Sequence, residues 1–204
     1  MDSTQAKGDL RFVEELARRA RAQIDPHAFH YVHWGLIVLV WFPLENWLQA
    51  NGLGAWQIAV RVTSIALGVV LTVFRERRLA RTPRFESEDV ELTRQIIWIV
   101  YASVGAGIVL SAVAPTFELI APANVPILWG IVYANIAFAT GVVYRRGFLF
   151  GAALIFAGVV AAIVLQPFNG YVLGPCMGLG MVVPGLAAER EVRRNREELE
   201  RASA

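Results

Sequence analysis

Lysine is nearly missing from this chain. Of 19 basic residues only Lys7 is not arginine, a skew that points to a GC-rich bacterial genome. A single cysteine, Cys176, excludes an intrachain disulfide, so packing alone must hold the fold. Charge is scarce: 18% of residues are charged, against about a quarter in soluble domains. That excludes a disordered chain and a soluble enzyme with one ordinary core. There is no P-loop, dinucleotide fingerprint or cysteine pair, and no soluble segment large enough to carry one. Nucleic acid is not an expected partner either, because the net charge is only +2.

What the chain has instead is apolar length. Hydrophobic residues make up 56% of it, and the mean hydropathy is +0.48. Six stretches approach the roughly 20 residues needed to cross a hydrocarbon core: 31–50, 57–74, 95–114, 126–144, 147–165 and 169–187. A span in lipid must satisfy its own backbone, so each should be a helix. The expected fold is an all-α integral membrane protein with six transmembrane helices. Three parts follow: a cytoplasmic amphipathic helix and linker over 1–30, a six-helix transmembrane domain over 31–187, and a charged cytoplasmic tail over 188–204.

Arginine placement sets the expected orientation. Residues 1–30 hold Lys7, Arg11, Arg18, Arg19 and Arg21; residues 75–94 hold Arg75, Arg77, Arg78, Arg81, Arg84 and Arg94. The turn Arg145-Arg146 follows, and the tail adds Arg190, Arg193, Arg194, Arg196 and Arg201. The alternate connections 51–56, 115–125 and 166–168 have none. With both termini inside a bacterial cytoplasmic membrane, every positive residue but Arg61 lies on one side. The first 30 residues also lack an apolar h-region with a small-residue cleavage site, so no signal peptide is expected.

Local patterns fill in the cytoplasmic parts. Phe12, Val13, Leu16, Ala17, Ala20 and Ile24 recur at spacings of three and four, which predicts an amphipathic helix from about Asp9. Ser87, followed by Glu88, Asp89 and Glu91, reads as an N-cap that starts the third helix before the membrane. Glu189–Arg193 and Glu197–Arg201 stand at i,i+4, so the tail should extend the sixth helix.

Four features within the membrane carry the candidate sites. Gly170, Gly174 and Gly178 form a smooth i,i+4 stripe on the sixth span, suited to close helix approach. Ala153, Ala157 and Ala161 offer a matching row on the fifth, and Gly180 lies off the stripe, where bulk should cost less. Pro175 and Pro184 should bend or break that sixth helix. Asn135, near the middle of the fourth span, should bond across helices, with Ser103 as one acceptor, and so serve packing. His27, His30 and His33 fan over one helix side, either as interfacial residues or as ligands for a metal or haem. No other residues call for a cofactor. Finally, Glu45 and Arg61 stand eight residues either side of a turn near Leu53. Equal distances from the turn give equal depth on antiparallel helices, which predicts an intramembrane ion pair.

No Asp, Glu, Lys, Arg or His stands at the middle of a span, which weighs against coupled transport and intramembrane hydrolysis. The leading expectation is a non-enzymatic accessory, scaffold or regulatory protein that packs in the bilayer with another membrane protein or with itself as a homo-oligomer. The alternatives are a small homodimeric transporter or channel with its path along the sixth helix, and a metal- or haem-binding protein using the histidines.

Overall fold

A computed structural model describes residues 28–80, 90–120 and 124–203. Six helices follow one another, with no strand among the described residues: α1 (Ala28–Ala50), α2 (Ala55–Ala80), α3 (Val90–Thr116), α4 (Val125–Val143), α5 (Gly147–Val164) and α6 (Asn169–Ser203). The amphipathic pattern at 9–24 and the Ser87 cap lie outside the described residues, although Val90 is already helical.

Four of these helices are long and apolar enough to cross a membrane: Ala55–Arg75 in α2, α4, α5, and Asn169–Arg194 in α6. The expected spans in α1 and α3 are not among these four. In α3, which runs Val90–Thr116, the apolar stretch among the residues with described side chains is Trp98–Ser111. In α1 the sequence AFHYVHWGLIVLVWFPLENWLQA dilutes its aliphatic residues with His30, His33, Glu45, Asn46 and three tryptophans. The structure places His33, Glu45 and Asn46 against neighbouring helices, as described below.

Helices α1, α4, α5 and α6 form the core. α1 lies along α6, α6 along α5, and α5 along α4. Val38, Phe42, Phe148, Ile155, Leu173 and Met177 fill the space between them. The flanking helices differ in kind. α2 rests on α1 and α3 on α4. Only 6% of the α2 span is buried, against 44% for α4, 39% for α5 and 50% for α6.

The connections are short. Asn51-Gly52 turns α1 into α2, with Gly52 at φ 71°, a left-handed backbone that glycine adopts without steric cost. Between α4 and α5, Arg145 reaches the last helix. Its Nη1 donates to the Ala187 carbonyl at 3.0 Å and lies 2.6 Å from Glu191 Oε2. An arginine expected to set orientation therefore also ties the α4–α5 turn to α6.

α6 passes through Pro175 and Pro184 as one 35-residue helix, which corrects the expectation of a break. It also continues without interruption across 187–188 into the polar tail. There Glu197 pairs with Arg201 at 3.7 Å and Arg194 with Glu198 at 3.8 Å.

Candidate functional site

The glycine stripe of α6 faces α1. A β-carbon on Gly174 would sit 2.6 Å from Pro43 Cδ, and one on Gly178 would sit 2.7 Å from Leu39 Cβ and 2.9 Å from the Gly35 carbonyl. The approach is reciprocal, since a β-carbon on Gly35 would meet the Gly178 carbonyl at 3.0 Å. Gly170 lies 2.6 Å by the same measure from the Phe42 carbonyl. These residues admit backbone against backbone, which only glycine allows.

Two expectations about this region are overturned. Gly180 is no freer than the stripe: a β-carbon there would lie 2.8 Å from the Gly151 carbonyl and 2.7 Å from Ile155 Cγ1. It stands two residues from Gly178, about 200° around the helix, and so meets α5 rather than α1. The α5 side of that contact is not the Ala153, Ala157, Ala161 row. Ala153 and Ala157 are exposed, and α5 buries Gly151, Ile155, Gly158 and Ala162 instead.

Asn135 is the third correction. It is exposed on α4, and among the described residues no bond from it to Ser103 is formed. The buried face of α4 runs through Gly130, Ala134, Ala137 and Gly141, and Asn135 lies off that line. The cross-helix polar bond comes from Thr140, whose hydroxyl pairs with that of Tyr31 on α1.

The richest polar chemistry lies in the seam between α1 and α2. Arg61 Nε donates to Glu45 Oε1 at 3.1 Å, and its Nη2 donates to Oε2 at 3.2 Å. The carboxylate side chain is 10% exposed and the arginine 45%. Charge is therefore deeply held on one partner and half open on the other. One turn earlier on α2, Gln57 Nε2 donates to the Glu45 backbone carbonyl at 3.1 Å. The neighbouring Asn46 points to a different helix, where its Oδ1 accepts from the Gly170 N–H at 2.8 Å. That N–H belongs to the first turn of α6, where backbone donors lack intrahelical acceptors. Adjacent residues of α1 thus bind α2 and α6. Asn46 carried no signal in the sequence beyond being polar inside an apolar run.

The other end of the seam holds His33, which is 5% exposed. Its Nδ1 donates to the Phe29 carbonyl at 2.8 Å, and its Nε2 pairs with the Thr72 hydroxyl at 3.1 Å. A metal needs an imidazole lone pair, and both nitrogens of His33 are engaged. His30 lies edge-on to His33, with ring centroids 5.3 Å apart. His27 lies outside the described residues. Among the described residues no three His, Cys, Asp or Glu side chains gather to hold a metal.

Between the two polar ends, Trp34 lies against Gly68, where any side chain would displace the indole. One turn before Glu45, the Trp41 Nε1–H is buried with no acceptor among the described residues. This arrangement binds helices, with polar groups spaced along a single seam. Compared with protein-family models, with curated proteins and with solved structures, the chain matches none of them.

Proposed function

We propose that this chain is a six-span protein of a bacterial cytoplasmic membrane, with both termini in the cytoplasm, acting as a non-enzymatic accessory or scaffold subunit. The observation that carries the reading is the state of α2. It is a long apolar helix with 6% of its span buried, yet it is fixed to α1 at both ends by polar bonds. A helix held in a set orientation with nearly all its apolar surface outward is suited to present that surface to another transmembrane segment. Ile58, Val62 and Val69 are among the residues it leaves exposed. The partner is a second membrane protein or another copy of this chain. The arginine distribution supports the orientation.

The transporter reading places a path along the sixth helix. Close packing of its glycines against both α1 and α5 favours the scaffold reading over that path.

Two experiments test the proposal. For topology, single cysteines are introduced as Leu53→Cys, Phe85→Cys and Glu200→Cys in a Cys176→Ala background. Membrane-impermeant labelling from outside should reach position 53 and neither of the others. Labelling at 85 or 200 would overturn the six-span arrangement. For function, photo-crosslinkers at 58, 62 and 69 should give discrete products in cells, and purified protein in liposomes should carry no solute flux. Flux without crosslinks would replace the scaffold reading with the transporter.

A further inference from the structure

The apolar span of α2 ends at Arg75, with Arg77 and Arg78 exposed immediately after it. Arg75 is held in an unusual way. Its guanidinium carbon lies 5.2 Å from the centroid of the Phe29 ring. Phe29 in turn stacks on His33, with centroids 4.7 Å apart and planes 26° from parallel. His33 is fixed through both ring nitrogens, one of them by Thr72, three residues before Arg75 on α2. Phe29 therefore contacts two groups, the His33 imidazole and the Arg75 guanidinium lying over its ring.

Four arginines of the described residues stand beside carboxylates: Arg61 by Glu45, Arg145 by Glu191, Arg194 by Glu198 and Arg201 by Glu197. Arg75 has no carboxylate partner among the described residues, and its Nε–H is buried without an acceptor. A guanidinium stacked on an aromatic face is oriented in advance, so little rotamer freedom is lost when its fork meets an anion. Its position at the end of a membrane span is the depth of lipid headgroups.

We propose that Arg75 is a binding site for the phosphate of an anionic phospholipid, with Arg77 and Arg78 adding longer-range attraction. Basic clusters beside transmembrane helices select anionic headgroups in this way. Lipid is the source because the site lies at headgroup level, where phosphodiesters are concentrated and free phosphate is not. The inference rests on α2 crossing the bilayer and is independent of whether the chain acts as a scaffold.

The test uses the full-length protein reconstituted in phosphatidylcholine vesicles with and without phosphatidylglycerol, then extracted gently for native mass spectrometry of retained lipid. The wild type should retain phosphatidylglycerol in preference to phosphatidylcholine. Arg75→Gln should lower that retention about fivefold, the scale of one basic residue at an anionic surface. Arg77→Gln and Arg78→Gln should lower it less. Phe29→Leu, which keeps the charge and removes the ring, should also lower it. Should Arg75→Gln fail to fold, Arg75→Lys serves, and is expected to lose retention because an ammonium cannot reproduce the planar fork. Unchanged retention in Arg75→Gln, full retention in Arg75→Lys, or equal losses in all three arginine variants would overturn the site. Displacement of the lipid by inorganic phosphate would reassign it to a soluble anion and overturn the lipid.

Discussion

Two seams in this molecule join helices by opposite means. Where α6 lies between α1 and α5, glycines remove side chains from the contact and carbonyls approach the facing backbone. Where α2 lies on α1, the contact is thin and polar side chains make the bonds. In lipid, packing apolar helices together gains no hydrophobic energy, because lipid tails are as apolar as leucine. Association must come from close dispersion contact or from hydrogen bonds. The core uses the first and the flank the second, so the same kind of substitution should have different consequences in the two places.

The largest effects are expected in the glycine seam. Gly178→Leu and Gly180→Leu should each cost about 3 kcal/mol or more, since overpacking against backbone leaves no flexible neighbour to yield. They should be equally severe, because each residue meets a facing helix through its backbone, on opposite sides of α6. Gly105→Leu is the control. Nothing lies within 4 Å of a β-carbon there, and the loss should stay within about 0.5 kcal/mol. Thermal melting in detergent, followed by tryptophan fluorescence, would rank the three. A mild Gly180→Leu would mean that α5 can retreat from α6, and the contrast between the seams would weaken.

The polar seam should respond unevenly to its two partners. Arg61→Ala leaves a carboxylate side chain only 10% exposed without its cation, and breaking a buried pair from that side costs about 3 kcal/mol. Glu45→Ala leaves an arginine that is 45% exposed, long enough to extend toward the interface, so its cost should be smaller. The double variant should lose less than the sum of the two single losses. Additive losses from the same melting experiment would show that the pair contributes no coupling. Equal single losses would show that Arg61 is as confined as Glu45.

Much of the helix arrangement could be read from the sequence because it follows from one-dimensional quantities. Apolar length located the helices, with edges at Ala50, Val143 and Val164 close to those of the stretches at 31–50, 126–144 and 147–165. Counting from the Leu53 turn brought Glu45 and Arg61 to one depth, and they are bonded there. What escaped depends on which neighbour occupies each side of a helix. A stripe of glycines announces one contact face, but α6 has two, and the second is marked by Gly180 alone. Asn135 looked like a packing residue because it is polar at mid-span, but rotation about the α4 axis decides whether it faces inward. Arg145 bonds α6 only because the chain returns there after another helix, a proximity that no local pattern encodes.

Tyr31→Phe and Asn135→Leu give the smallest effects and separate buried from exposed polarity. Tyr31→Phe removes the partner of Thr140, which is 2% exposed. A threonine hydroxyl can turn back to a carbonyl of its own helix, so the cost should be about 1 kcal/mol. Asn135→Leu should cost nothing measurable in the monomer, because the amide is exposed. Replacing it with leucine removes an amide that hydrocarbon solvates poorly, so the melting temperature should hold or rise slightly. An amide on an outward face can still bond a second copy, and such bonds between helices in lipid average about 0.6 kcal/mol. The oligomeric state should therefore be measured beside the melting curve. An unchanged melt with a shift toward monomer would make Asn135 a contact between subunits. A fall in the melting temperature at fixed oligomeric state would show that α4 is rotated relative to the arrangement described, with Asn135 facing the core.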